Sequence, residues 1–217
     1  MKIVPAILAK DVPTFLSMLR QAESFSDYVQ IDIMDGMFVP SFSFPPEEIN
    51  GLKTSLSFEL HLMVKDPGTC MARIGNNAGM KKVHFHVEAE VDHKDFIKRL
   101  VARGLSTGLA VSPETSLNRF REIAEYVNTI LFLTVDPCCY GSPFKPEVLE
   151  KISAAREVFP DKEISVDGGV SLENLHLFHD LGVDSVCVGS RIFLAENPAD
   201  SYNHFRVKAR ELEKLKP

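Results

Sequence analysis

The chain has 217 residues, enough for one sizeable hydrophobic core and within the range of a single α/β barrel. Hydrophobic residues make up 45% and charged residues 25%, the balance of an ordinary soluble globular protein. The 24 basic and 30 acidic residues give a formal net charge of −6, which excludes a general basic surface for nucleic acid or an anionic membrane. We therefore expect no nucleic-acid or membrane partner.

The cysteine pattern and the apolar runs indicate the cellular compartment of the protein. The four cysteines form no CxxC pair, so neither a zinc ribbon nor a disulfide framework is predicted. No stretch approaches 18 apolar residues, and the first residues lack the apolar centre of a signal peptide. We expect a cytoplasmic protein.

Eight short apolar runs alternate with longer amphipathic segments along the chain. The runs are continuous rather than alternating, as in parallel strands that are buried on both faces. In chain order, the predicted strands are Ile3–Leu8, Tyr28–Ile33, Leu56–Met63, Val83–Val87, Gly108–Val111, Thr129–Val135, Glu163–Val166 and Ser185–Val188.

The amphipathic segments predict the helices between these strands. The first follows Asp11 and carries Pro13 in its first turn, a combination typical of a helix start. The later ones are Pro46–Leu52, Pro67–Ile74, His93–Arg103, Ser116–Tyr126, Pro146–Val158, Leu172–Leu181 and Ala199–Leu215.

The order of these elements predicts the fold. Eight β/α units with short connections favour a closed barrel over an open doubly wound sheet. The GxGxxG dinucleotide fingerprint is absent after the first strand. We predict the α/β class and one (β/α)8 TIM-barrel domain over residues 1–217.

Chemistry in such barrels lies at the carboxyl ends of the strands. The polar residues at or just after the predicted ends are Gln30, Asp32, His61, His86, Glu88, Asp136, Asp167 and Ser190.

Two carboxylates and one imidazole form the first constellation. Asp32, His61 and Asp167 each lie among apolar residues, where an ionisable group is costly to bury unless it binds a metal or a proton. Asp32 and Asp167 could exchange a proton with opposite faces of a carbon acid, and a divalent cation between them could stabilise the enediolate. The alternative is structural: the two aspartates would cap loops, and the histidine would be a hydrogen-bonded core residue. Three such residues together at predicted strand ends favour a catalytic or metal-binding role.

Glycine turns form the second constellation. Gly168 and Gly169 follow the seventh strand, and Gly189 with Ser190 opens a short helix after the eighth. Exposed backbone N–H groups there can bind phosphate without Lys or Arg. The alternative is two tight turns that need glycine for their backbone conformation.

Two further groups lie near the predicted site. Met34, Met63 and Phe38 could form an apolar floor that excludes water, although core packing explains methionines equally well. His84 and His86 lie two residues apart and so point the same way. His86 could line the mouth, with a structural hydrogen bond as the alternative.

Four motifs together resemble the ribulose-phosphate 3-epimerase family, and the resemblance runs the whole length in the right order. The motifs are DIMDGMFVP at residues 32–40, HLM at 61–63, HVEA at 86–89 and VDGGV at 166–170.

The resemblance implies a barrel that interconverts ribulose 5-phosphate and xylulose 5-phosphate with a divalent metal, Zn2+, Fe2+ or Mn2+, as a homodimer or hexamer. Carried over by motif, Asp32 and Asp167 would be the acid/base pair and, with His61, the metal ligands. The implied phosphate cradle and pocket comprise Gly141, Gly168, Gly169, Gly189, Ser190, Gln30, Met34, Met63 and His86.

The chain departs from the family pattern on the substrate side. Gln30 replaces a metal-binding histidine, so we expect weaker metal affinity, since an amide oxygen is a poorer donor than imidazole. Tyr140 in place of glycine should narrow the part of the pocket where the phosphate would lie. The other departures are Ala6 for serine, Cys138 for glycine, Ser142 for glutamine and Leu133 for methionine.

These departures leave three functions open. The first is a ketose-phosphate 3-epimerase, most plausibly of ribulose 5-phosphate. The others are a paralogue acting on a larger sugar such as a hexulose phosphate, and a binding protein that holds a sugar phosphate without chemistry.

Overall fold

The computed structural model describes residues 1–137 and 141–215. The predicted barrel is confirmed, because eight parallel strands close in chain order and β8 pairs with β1. The strands are β1 Lys2–Ile7, β2 Tyr28–Met34, β3 Ser57–Met63, β4 Met80–His86, β5 Ser106–Val111, β6 Thr129–Leu133, β7 Glu163–Asp167 and β8 Ser185–Val188. The helices are α1 Val12–Glu23, α2 Pro67–Arg73, α3 His93–Ala102, α4 Leu117–Ala124, α5 Val148–Val158, α6 Leu175–Asp180, α7 Ser190–Phe193 and α8 Pro198–Lys214.

Local signals explain where helices begin and end. The Asp11 side chain accepts a hydrogen bond from the Thr14 backbone at 2.8 Å and caps α1, whose first turn contains Pro13. Gly104 follows α3 with a φ of +75°, a conformation that costs glycine little. The start of α1 falls where the sequence predicts it, and α3 ends one residue before the predicted Arg103.

Two predictions from local patterning are wrong. The segment predicted as a helix at Pro46–Leu52 is one 3-10 turn over Pro46–Ile49, in which Asn50 bonds back to Glu47 rather than to Pro46. The i, i+4, i+5 spacing of Phe96, Leu100 and Val101 predicts that all three lie on the packed face of α3. Val101 is instead 57% exposed, because the stripe that packs on the barrel consists of Phe96, Ile97 and Leu100.

The strand register places the polar side chains of β2, β3 and β7 at one end of the barrel. Asp32 is paired with His61 across β2 and β3, and Asp167 with Cys187 across β7 and β8. Because side chains alternate along a strand, Gln30 shares the inward face of Asp32. The carboxyl end of the barrel interior is therefore polar, as predicted.

No helix within the described residues is long and apolar enough to cross a bilayer.

Candidate active site

A cavity of about 380 Å³ opens at the carboxyl ends of the strands. Asp32, His61 and Asp167 line its base. The glycine turns after β7 and β8 line another part of its wall. The structure thus brings the two predicted constellations into one cavity.

Four polar atoms meet in a closed ring at the base of this cavity. His61 Nδ1 lies 3.0 Å from Asp32 Oδ1 and 3.3 Å from Asp167 Oδ2. Gln30 Nε2 lies 3.0 Å and 2.8 Å from the same two oxygens. Each nitrogen therefore bridges both carboxylates, and each carboxylate oxygen faces two nitrogens. We call these four side chains the polar ring.

Burial and charge shift the proton affinities in the ring. Burial raises the pKa of Asp32 to about 6, and the charge of Asp167 adds to this against the opposing hydrogen bond from His61. Burial alone would lower the pKa of His61, but hydrogen bonds to Asp167 and Asp32 and their charges raise it to about 9. With no cation bound, an imidazolium at His61 thus partly neutralises the carboxylates.

A chain of hydrogen bonds behind the ring fixes the ring nitrogens of His61. His61 Nε2 lies 3.0 Å from His86 Nε2, and His86 Nδ1 lies 3.1 Å from Glu88 Oε2. Burial lowers the pKa of His86 to about 4, so this imidazole is neutral and carries its proton on Nδ1, facing Glu88. His86 Nε2 must then accept from His61 Nε2–H.

Glu88 is itself held in its ionised form. Burial would raise its pKa, but the hydrogen bond and charge of His86, together with bonds from Thr115 and the Ser112 backbone, lower it to about 2. The chain from Glu88 through His86 therefore leaves Nδ1 as the nitrogen that His61 presents to the cavity.

Three ring members have the geometry of a metal site. Ligand atoms of Asp32, His61 and Asp167 lie within 4.8 Å of one another, a spacing that one divalent cation can bridge. Carboxylate oxygens with one imidazole nitrogen suit Zn2+, Mn2+ or Fe2+. Gln30 does not complete this set as it stands, because the end of its amide that faces the carboxylates is the N–H donor.

An apolar wall flanks the ring. Met34, Val39 and Met63 form one buried cluster against which Phe38 packs. The Phe38 ring also lies 4.5 Å from the His86 ring, measured between centroids. Met34 and Met63 both line the cavity, as the sequence predicts.

Glycine conformation shapes the other end of the cavity. Gly168 and Gly169 have φ values of +99° and +62°. A Cβ on Gly168 would lie 2.4 Å from Val135 Cγ2, and one on Gly169 would lie 2.9 Å from Phe144 Cβ. Within the described part of the chain, the backbone N–H groups of these two glycines donate no hydrogen bond, so they are available to a ligand.

The turn after β8 provides donors of the same kind. Gly189 and Ser190 line the cavity, but α7 is only four residues long. A helix dipole accumulates over several turns, so the donors here are the N–H groups of the turn rather than a helix end. Gly141, with a φ of +86°, also lines the cavity.

Two predicted pocket residues do not line the cavity. Gln30 and His86 are both 0% exposed; the first lies in the polar ring and the second behind it. Asp136 points outward, where its carboxylate pairs with Lys145 at 2.7 Å. Ala6, Leu133 and Ser142 do line the cavity, whereas Cys138, Cys139 and Tyr140 lie outside the described residues.

Cys187 and Arg191 are among the cavity residues that the sequence prediction missed. Cys187 lies in β8, two residues before Gly189, and its position at a strand end could have indicated it. Arg191 is the one arginine or lysine among the described residues that line the cavity. It directly follows the Gly189-Ser190 turn, and that adjacency is the signal that could have found it.

Known proteins resemble this chain in both sequence and fold. A model described as the ribulose-phosphate 3 epimerase family matches residues 2–193. Ribulose-phosphate 3-epimerase of Schizosaccharomyces pombe is 29% identical over 100% of this chain and 97% of its own length. The enzyme's cytoplasmic isoform from Oryza sativa is 30% identical over 94% of this chain and 92% of its own.

A solved structure shows the same fold at lower identity. The 3-keto-L-gulonate-6-phosphate decarboxylase of Vibrio cholerae superposes with a TM-score of 0.72 at 13% identity, covering 100% of this chain and 99% of its own. At that identity the likeness concerns the barrel alone.

Proposed function

The chain belongs to the ribulose-phosphate 3-epimerase family, and from that premise we propose that it epimerises a ketose phosphate at C3, with ribulose 5-phosphate and xylulose 5-phosphate as the pair. One observation carries the proposal. Two carboxylates from strands on different sides of the barrel, Asp32 and Asp167, meet at the base of one cavity beside a single imidazole.

The carboxylates act as the acid and the base. In one direction Asp167 takes the proton from C3 and Asp32 returns one to the opposite face; in the other direction the roles exchange. The raised pKa of Asp32 suits the acid, since this carboxyl keeps a proton more readily than an exposed aspartate does.

Asp32, His61 and Asp167 would hold the divalent cation, Zn2+, Mn2+ or Fe2+. When bound, the cation supplies Lewis-acid stabilisation of the enediolate oxygens. His61 contributes Nδ1 because His86 holds its other ring nitrogen.

The glycine turns hold the phosphate. Gly168, Gly169 and Ser190 line the cavity, as does Gly141, and the backbone N–H groups of these turns would donate to the phosphate oxygens. Arg191 adds the cationic side chain of this end. The apolar surface of Met34 and Met63 excludes water from the reacting carbon.

Three other properties stay predictions. The resemblance implies a homodimer or hexamer, and the sequence pattern indicates a cytoplasmic location and one domain over residues 1–217. No feature of the described cavity favours a hexulose phosphate or a purely binding role over the epimerase.

Isotope exchange tests the proposal directly. Ribulose 5-phosphate is incubated with the protein in D2O containing Zn2+, Mn2+ or Fe2+, and deuterium is located by NMR. We expect incorporation at C3 of both epimers, with no exchange at C1. Absence of C3 deuterium with every metal contradicts the proposal.

A further inference from the structure

Gln30 is held at both ends of its amide. Its Nε2 faces Asp32 Oδ1 and Asp167 Oδ2 at 3.0 Å and 2.8 Å, and its Oε1 lies 3.1 Å from Cys187 Sγ. Gln30 is 0% exposed and Cys187 1% exposed, so water cannot readily substitute for these partners.

Only one orientation of this amide satisfies both ends. Carboxylate oxygens accept hydrogen bonds, and an amide oxygen in the place of Nε2 would lie within 3.0 Å of two of them and repel both. Burial raises the pKa of the Cys187 thiol, so Cys187 keeps its S–H and donates it to Oε1.

Binding of Gln30 to a cation requires the opposite orientation of its amide. An amide ligates a metal through its oxygen, so Gln30 can become a fourth ligand only if it turns Oε1 toward the ring. That turn breaks the S–H···O bond and sets the amide N–H groups against sulfur, which is a weak acceptor.

We propose that Cys187 is a positioning residue that locks Gln30 as an amide donor to the two carboxylates, so that the metal centre retains three protein ligands and a lowered metal affinity. The inference rests on the proposed function, because that function gives the three remaining ligands their metal. Cys187 would therefore set the metal affinity through Gln30, although Cys187 itself touches no ligand atom of the cation.

Metal affinity in a double-mutant cycle provides the test, with Zn2+ alone as the probe and a chromophoric chelator as the competitor. Cys187→Val removes the S–H donor and adds about one methyl group of volume. Gln30 is then free to offer its oxygen. We expect the Zn2+ Kd to fall about fivefold, which is about 1 kcal/mol, the size of one neutral hydrogen bond.

The second arm of the cycle removes the amide. In a Gln30→Met background, we expect Cys187→Val to leave the Zn2+ Kd unchanged, because no amide remains to be released. Gln30→His should bind Zn2+ more tightly than the wild-type chain, with either residue at position 187.

Matched controls separate positioning from folding. Cys70→Val makes the same chemical change at another buried cysteine, in α2, and should leave the Zn2+ Kd unchanged. Thermal unfolding of every variant shows whether it is folded at the assay temperature.

Three outcomes overturn the inference. They are an unchanged or higher Kd in Cys187→Val, an equal effect of that change in both backgrounds, and no Zn2+ binding by the wild-type chain. Because affinity is measured without turnover, a chain that binds Zn2+ as expected but exchanges no C3 proton retains this inference and loses the proposed function.

Discussion

His61 and His86 meet through their Nε2 atoms at 3.0 Å, although they lie on different strands and one of them lines no part of the cavity. One nitrogen must donate and the other accept, and the bond from His86 to Glu88 decides which. Glu88 therefore fixes the proton of His86 on Nδ1, and His86 in turn fixes Nδ1 of His61 as the nitrogen that faces Asp32 and Asp167.

Glu88→Gln should weaken this control. The neutral amide no longer holds the proton of His86 on Nδ1 as firmly, so His61 presents Nδ1 less uniformly. We expect metal affinity to fall by less than the about 10- to 100-fold that is usual for losing the direct partner of a metal-ligating histidine, because Glu88 acts on His61 through His86. Chelator competition measures it. Glu90→Gln, an exposed carboxylate two residues on, is the control and should change nothing. Equal affinities in both variants would contradict the relay.

Asp32→Asn and Asp167→Asn should each abolish epimerisation, because an amide neither takes nor returns a proton. General acid–base groups contribute about 10²- to 10⁴-fold, so turnover should fall at least 10²-fold in either variant. Coupled detection of xylulose 5-phosphate measures it. Asp136→Asn, which alters a carboxylate outside the cavity, should retain full turnover. An active Asp32→Asn protein would show that the assigned acid is wrong.

Gly168→Ala should damage both stability and substrate binding. The added Cβ meets Val135 at 2.4 Å in a backbone conformation of φ +99°. We expect a loss of about 2–4 kcal/mol in the free energy of unfolding and a KM raised about tenfold. Gly104→Ala separates the two causes, since its φ is +75° and nothing lies within 4 Å of the new Cβ. It should cost about 1 kcal/mol and leave KM unchanged.

Arg191→Ala should raise KM for the sugar phosphate about tenfold with little change in kcat. Phosphate lies far from the reacting carbon, so its cationic partner contributes uniform binding. Steady-state kinetics measure both constants. Arg210→Ala, on α8 and away from this cavity, is the matched control. A fall in kcat with KM unchanged would contradict the assignment.

The stability of the metal-free protein should decrease above neutral pH. His61 has a folded pKa of about 9 against about 6.5 when unfolded, so the folded state binds its proton more tightly. The stabilisation is fully present below pH 6.5 and disappears as the pH rises through 9. The loss should be on the order of 3 kcal/mol. Urea unfolding at a series of pH values in a chelator measures it. In His61→Gln, the free energy of unfolding should change much less between about pH 6.5 and 9. An equally steep decrease in that variant would show that His61 is not the cause.

Much of the barrel could be predicted from local pattern. Continuous apolar runs indicate strands that are buried on both faces. The strand β8, for example, has the predicted bounds, Ser185–Val188. The prediction is wrong where a local pattern lacks a tertiary partner. Val101 fits a helical stripe but faces outward, because the barrel contacts only the stripe through Phe96 and Leu100.

The site was predictable in its composition rather than in its contacts. Asp32, His61 and Asp167 are recognisable as polar residues at apolar strand ends, and the structure brings them together. The position of Gln30 identifies it as a departure from the family, but nothing local indicates which end of its amide faces the carboxylates.

The amino-acid sequence by itself determined the eight β/α units, the strand ends that carry the ionisable groups and the glycines of the turns, because periodicity and backbone freedom are properties of neighbouring residues. The tertiary structure alone decided that His86 controls a nitrogen of His61 and that Cys187 holds Gln30. Hydrogen-bond partners across a barrel depend on strand register and side-chain orientation, and Gln30 and Cys187 are 157 residues apart in the chain.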